Sequence, residues 1–294
     1  MKEWYVISGP SSPSLASRIA NRLDANIVKV EVKIFSDGES KLRINGNVRN
    51  KKVVLVQSIY PPVDRHLFQT ICLAHRLSED GAQVYAVIPY IGYSRQDKEF
   101  MKGEVITLGS IAHFFRSAGI QRLITVDIHS PHGLGYFSIP SYSVSAIPLL
   151  AEHIRKIKTD NNLIAISPDF GASARVEAFA KVLDIEHLIL EKHRDRITGE
   201  VTILQRDIDV NGKTVIIVDD IISTGGTVQR AAILLKKYGA KRIYAICTHP
   251  ILTNGALDKM RSSGVNEIIA TNSIPSPVSI VDISPILTSY LETL

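Results

Sequence analysis

The chain has 294 residues, 45% of them hydrophobic, and its 34 Lys and Arg against 29 Asp and Glu leave a formal charge of +5. That length fills one large domain or two ordinary ones with a substantial core, and so mild a positive charge favours anionic small substrates over nucleic acid, the basic clusters being short and without interleaved aromatics. Cys72 and Cys247 stand far apart, which excludes a disulfide framework and gives no metal-ligand spacing; with no charged and apolar leader and no stretch approaching eighteen apolar residues, a soluble cytoplasmic protein with no membrane partner is expected.

Residues 4–8 read as a strand, Gly9-Pro10 as a turn, and 11–23 as an amphipathic helix carrying Leu15, Ile19 and Leu23. Strand signals at 28–35 and 41–44 flank Phe35-Ser36-Asp37-Gly38-Glu39, a polar loop with one exposed aromatic, for which a plain Asp-Gly hairpin turn is an equal reading. A strand at 53–57, a helix at 64–80 and a strand at 83–88 follow, the last running into Pro89-Tyr90-Ile91-Gly92-Tyr93-Ser94-Arg95-Gln96-Asp97-Lys98. A helix over 105–118 leads to a strand over 122–126 that ends in Asp127-Ile128-His129-Ser130. Strands alternating with helices predict a mainly parallel sheet covered on both faces, with ligands at the carboxyl ends of its strands. A histidine at such an end is as often a structural residue as a contact to metal or phosphate.

The second half repeats the first. A strand at 163–167 ends in Pro168-Asp169-Phe170-Gly171, as the earlier one ends in Pro89-Tyr90-Ile91-Gly92, and Val218-Asp219-Asp220 matches Val126-Asp127-Ile128. Two similar α/β domains are expected, 1–146 and 147–283, with a closing helix over 284–294. Pro89 to Asp127 spans 38 positions and Pro168 to Asp219 spans 51, so the second copy carries about a dozen extra residues. Their home is the charged run Glu191 to Glu200 after a strand-like 186–190. Such a run is usually a solvated loop; alternatively, Lys192 and Arg194 point the same way in an extended chain and could close on a polyphosphate.

Residues 214–218 form a short apolar strand signal, Asp219 and Asp220 stand where it would end, and Ser223-Thr224-Gly225-Gly226-Thr227 opens a helix bearing Val228, Ala231, Ala232, Leu235 and Tyr238. The first turn of a helix leaves backbone N–H groups unpaired at the positive end of its dipole, glycines let the chain wrap an anion closely, and hydroxyls add donors. The two acids are acceptors suited to vicinal sugar hydroxyls or a hydrated divalent cation. An ordinary capped turn explains the Ser-Thr-Gly-Gly alone, but not two consecutive acids that are costly to bury. The first half lacks this loop, offering Ile128-His129-Ser130-Pro131-His132-Gly133 instead, and cannot be a second cradle.

This stretch resembles the phosphoribosyl-pyrophosphate motif of the phosphoribosyltransferase-like fold. Taken with residues 35–39, 92–97, 127–129, 167–171 and 192–194 in order, the chain is similar over essentially its full length to the ribose-phosphate pyrophosphokinases. The resemblance implies an α/β protein of two similar phosphoribosyltransferase-like (type I) domains, each a mainly parallel sheet flanked by helices. It implies transfer of the diphosphoryl group of ATP to the 1-hydroxyl of ribose 5-phosphate, for nucleotide biosynthesis. Asp219 and Asp220 would hold the ribose hydroxyls, Ser223, Thr224, Gly225, Gly226 and Thr227 the 5-phosphate. Arg95, Gln96 and His129 would contact ATP, with Phe35, Asp37, Gly38 and Glu39 around adenine from a neighbouring subunit of a homodimer or larger homo-oligomer. His129 and Asp169 would position Mg2+, and Lys192 and Arg194, on a mobile loop, would stabilise the transition state, Arg194 also meeting ribose 5-phosphate. The family commonly has Asp at Ser223 and Gly at Ala172, and many members are longer, which weakens any carry-over of allosteric control. A phosphoribosyltransferase would share the cradle without needing the duplicated half; a noncatalytic partner would not need Lys192, Arg194, His129 and Asp169; a nucleic-acid regulator would need a basic domain.

Overall fold

Short apolar strands, buried on both faces at the centre of each sheet, set the architecture. A computed structural model of the protein describes residues 4–157, 162–194, 201–204, 208–253 and 255–294. The chain divides into two compact units, residues up to Ser145 together with Ile283–Leu294, and Ala146–Asp282.

In the first unit the order is β1 (Trp4–Ser8), α1 (Pro13–Arg22), β2 (Asn26–Ile34), β3 (Ser40–Asn45), β4 (Lys52–Val56), α2 (Val63–Glu79), β5 (Gln83–Val87), α3 (Thr107–Ser117), β6 (Ile120–Val126) and β7 (Ser141–Val144). The strands pair as β3-β2-β1-β4-β5-β6-β7, parallel except for the β2–β3 hairpin. Ile7, Leu55 and Ala86 from the sheet meet Leu73 and Leu77 of α2 and Leu108, Ile111 and Phe115 of α3 in one core. The turn at residues 35–39 is the hairpin turn that Asp-Gly suggested, with Gly38 at φ 95 and its N–H donating to the Phe35 carbonyl at 3.0 Å.

The end of the chain returns to this unit. Helix α8 (Ser284–Leu291) lies against α1, Arg22 Nε donating to Ser284 Oγ at 3.0 Å, and buries Leu287 and Leu291 completely. The Tyr290 and Tyr142 rings stand 5.0 Å apart, and burial pushes the Tyr290 hydroxyl up to about 12.

The second unit runs α4 (Ile147–Ile157), β8 (Leu163–Ser167), α5 (Ser173–Leu183), β9 (Glu186–Ile189), β10 (Glu191–Arg194), β11 (Val201–Leu204), β12 (Thr214–Ile222), α6 (Gly226–Lys237), β13 (Arg242–Pro250), α7 (Ala256–Ser262), β14 (Glu267–Thr271) and β15 (Ser279–Val281). Six of these strands form a parallel sheet in the order β15-β14-β13-β12-β8-β9, and β10 pairs antiparallel with β11 as a separate ribbon. Strand β12 is central and covered on both faces. Val215 and Ile217 face Val228, Leu235 and Met260 of α6 and α7, whereas Ile216 and Val218 face Ile154, Val176 and Phe179 of α4 and α5. Each such side chain contributes on the order of 1.5–3 kcal/mol, so four of them fix the strand that carries the acids.

One expectation changes, and one open pair of readings narrows to the extended one. Strand β12 does not stop before the acids but runs to Ile222, because β13 continues to pair with it, Asp219 opposite Cys247 and Ile221 opposite His249, after β8 has ended. The charged run after residue 190 begins as a strand, with Lys192 opposite Ile203 and Arg194 opposite Val201; its residues 195–200 and the side chains of Lys192 and Arg194 lie outside the described residues. No helix among the described residues is long and apolar enough to cross a membrane.

Candidate active site

The tip of β12 carries two adjacent carboxylates in unlike surroundings. Successive residues of a strand face opposite ways, and here Asp219 is half-buried whereas Asp220 is 3% exposed. Asp220 Oδ2 lies 3.1 Å from Nη2 of Arg175 on α5, an ion pair almost wholly out of water. Its backbone N–H donates to Asp219 Oδ1 at 2.9 Å. Burial above all, and then the charges of Asp220 and Asp169, hold the Asp219 carboxyl well above the usual carboxylate range. The same crowding, after burial, pushes the neighbouring Cys247 thiol up.

Beyond Ile222 the chain turns through Ser223 and Thr224 into α6. The Ser223 carbonyl accepts the Thr253 N–H at 3.1 Å, tying this loop to the one after β13. The two glycines have different tasks. Gly225 caps α6 at φ 73, and a Cβ there would meet Met260 Cγ at 3.1 Å and the Ala256 carbonyl at 3.2 Å, so helix packing itself demands glycine. At Gly226 a Cβ would find nothing nearer than 3.5 Å, so packing does not demand glycine there. The first turn of α6 leaves backbone N–H groups at the positive end of the helix dipole, an arrangement that suits an anion. Asp169 follows β8, half-buried, and its carbonyl accepts the Ser167 hydroxyl. Ala172 is buried at φ −98, which an alanine adopts without strain, so the departure from Gly there is tolerated.

The structure thus brings Asp169, Asp219 and Asp220 together beside residues 223–227. Sequence reasoning missed Arg175, six positions after Asp169 and in the first turn of α5; the signal was the need of a buried acid for a cation.

In the first unit, Gly92 packs so closely that a Cβ would stand 2.6 Å from Val63 Cγ1, which fixes the turn bearing Arg95 and Gln96. Arg95 is exposed; Gln96 Oε1 accepts the Thr107 hydroxyl at 2.8 Å, next to a 340 Å³ cavity lined by Gln96, Lys98, Phe100, Glu104, Val105 and Thr107. His129 is half-buried beyond β6, whose end is held by the Ile128 N–H donating to Ser143 Oγ at 3.0 Å.

Phe35, Asp37, Gly38 and Glu39 stand apart. Strand β1 ends at Ser8, opposite Lys29, and β2 runs five residues further, an overhang of about 16 Å. Every residue from 31 to 39 is exposed, Val32, Ile34 and Phe35 included.

Among the described residues, no group of three or more His, Cys, Asp or Glu side chains is arranged to hold a metal ion by itself. Hard carboxylate oxygens crowded at one strand tip nonetheless suit magnesium, which keeps several waters and binds through one or two carboxylates plus substrate phosphates.

Residues 4–119 match the family described as the N-terminal domain of ribose phosphate pyrophosphokinase, and 179–293 the phosphoribosyl synthetase-associated domain. The ribose-phosphate pyrophosphokinase of Methanopyrus kandleri is 38% identical, covering 98% of this chain and 99% of its own, and that of Marinomonas is 40% identical over 94% and 88%. The phosphoribosylpyrophosphate synthetase of Mycobacterium smegmatis superposes with a TM-score of 0.89 at 28% identity, over 99% of this chain and 98% of that one. Both units accordingly have the phosphoribosyltransferase-like α/β fold. By similarity over nearly the whole length of these proteins, the chain belongs to the ribose-phosphate pyrophosphokinase family of diphosphotransferases.

Proposed function

We propose that the protein transfers the diphosphoryl group of ATP to the 1-hydroxyl of ribose 5-phosphate, giving 5-phosphoribosyl 1-pyrophosphate and AMP. The observation that carries this reading is the strand tip of Asp219 beside the Ser223–Thr227 helix entrance, a sugar and phosphate cradle in one loop. In a family whose members are named for pyrophosphoryl transfer to ribose phosphate, that cradle has a ready substrate.

Asp219 accepts hydrogen bonds from the ribose hydroxyls, with Asp220 behind it paired to Arg175. Residues 223–227 hold the 5-phosphate with backbone N–H groups and hydroxyls, leaving the anomeric hydroxyl at the acid end. Arg95, Gln96 and His129 bind ATP. The overhanging hairpin, with Phe35, Asp37, Gly38 and Glu39 and an exposed apolar flank, completes the adenine site of a second copy in a homo-oligomer.

His129 and Asp169 would hold Mg2+, which when bound neutralises charge on the triphosphate. Attack at the β-phosphorus needs alignment and charge neutralisation more than covalent help from the protein. Lys192 and Arg194, on alternate positions of β10, supply positive charge to the transferring group, Arg194 also reaching the sugar phosphate, and closure of their ribbon excludes water that competes as nucleophile.

The test is a coupled assay of AMP formation from ATP in magnesium, with and without ribose 5-phosphate. AMP release that requires the sugar supports the reading; equal release without it makes the protein a nucleotide hydrolase.

A further inference from the structure

We propose that Arg175 is a positioning residue of the sugar site: it neutralises Asp220 and ties the loop after β8 to the tip of β12, which leaves the Asp219 carboxylate as the one that meets the ribose. This rests on the proposed reading of residues 219–227 as the ribose 5-phosphate cradle.

Arg175 issues from the first turn of α5, a helix pinned under the sheet by Val176, Phe179 and Ala180, so its stem is fixed by the core. Its two terminal nitrogens divide their work. Nη2 lies 3.1 Å from Asp220 Oδ2, and Nη1 donates to the Gly171 carbonyl at 3.3 Å. Gly171 belongs to the turn that carries Asp169, whereas Asp220 is bonded through its N–H to Asp219 Oδ1 at 2.9 Å. One guanidinium therefore joins the two strand ends whose acids crowd each other. A planar fork can do this; an ammonium, with a single charged centre, cannot serve both acceptors with the same geometry.

The chemistry explains why the site needs it. The side chains of Arg175 and Asp220 are only 16% and 4% exposed, and a carboxylate so placed without a cation would protonate or pull its strand toward water. Asp219 already feels the charges of Asp220 and Asp169. With Asp220 paired to Arg175, Asp219 is the acid of the adjacent pair that is less buried. Without Arg175 the buried Asp220 loses the cation facing it, and the tie between the turn after β8 and the tip of β12 is gone.

Three forms of the full-length protein separate this role from a purely structural one: wild type, Arg175→Gln, and Arg175→Gln with Asp220→Asn, which removes both buried charges. Isothermal titration with ribose 5-phosphate gives the affinity, and steady-state kinetics give the KM for ATP. Arg175→Gln is expected to bind ribose 5-phosphate at least fivefold more weakly with an unchanged KM for ATP, and the double variant to return to within fivefold of wild type. Affinity of the single variant within fivefold of wild type overturns the proposal, as does a double variant that stays weaker than that. Should the single variant not fold, the double variant alone decides by the same limit. Failure of wild type to bind ribose 5-phosphate would instead overturn the reading of the cradle.

Discussion

Asp219 Oδ1 accepts the backbone N–H of Asp220 at 2.9 Å, so the acid exposed to a ligand is oriented by the acid buried behind it. Burial, followed by the charges of Asp220 and Asp169, raises the Asp219 carboxyl above its ordinary range. A group whose proton is held more tightly in the folded state contributes stability that is fully present below its unfolded value of about 3.9 and lost as pH rises through the folded one. At any pH above the unfolded value the raised carboxyl of Asp219 is thus a cost to the fold. Asp219→Asn should raise Tm at pH 7 by about 2–4 °C, flatten the pH dependence of Tm above pH 4, and abolish saturable binding of ribose 5-phosphate. A lower Tm at pH 7 would show that the charge is compensated.

Gly225 and Gly226 are adjacent but answer to different constraints. Gly225→Ala meets both φ 73 and the backbone of α7, and should cost about 1–3 kcal/mol of stability. Gly226→Ala meets no atom nearer than 3.5 Å and should leave Tm unchanged while raising the KM for ribose 5-phosphate at least fivefold. Thermal melts and KM values of both variants measure the contrast; equal losses of stability would contradict it.

Lys192 sits on a ribbon separate from the main sheet, so its loss should spare the fold. Removing a charge that acts only on the transferring group should lower kcat about a hundredfold or more, with ribose 5-phosphate affinity changed less than threefold. Comparable losses in kcat and affinity would place Lys192 in ground-state binding.

If the hairpin of Phe35 completes a neighbour's site, two chains impaired at subsaturating ATP can rescue each other. Phe35→Ala should raise the KM for ATP without altering ribose 5-phosphate binding. Co-assembly of Phe35→Ala and Lys192→Ala chains should restore about a quarter of wild-type activity, because about that share of sites combines an intact hairpin with an intact lysine. No recovery after verified subunit mixing would mean that each chain supplies its own adenine contacts.

Much of this was readable beforehand where the chain speaks locally. Residues 163–167 are all buried and read as a strand at the bounds β8 has, and the opening of α6 at Gly226 follows from its hydroxyls and glycines. What could not be read depends on partners distant in sequence. Two acids look like the end of a strand, yet β13 keeps pairing with β12 as far as Ile222. Arg175 has no local mark of its role, since its partner lies 45 positions further on, and the seating of Leu287 and Leu291 with the first unit is a matter of tertiary packing alone.

The most direct test of the account follows the phosphorus. With ATP labelled in its β-phosphate, ribose 5-phosphate and magnesium, the label should appear in 5-phosphoribosyl 1-pyrophosphate, with one AMP formed for each labelled product. Label found in ADP or in free pyrophosphate at a rate indifferent to the sugar would contradict diphosphoryl transfer by this protein.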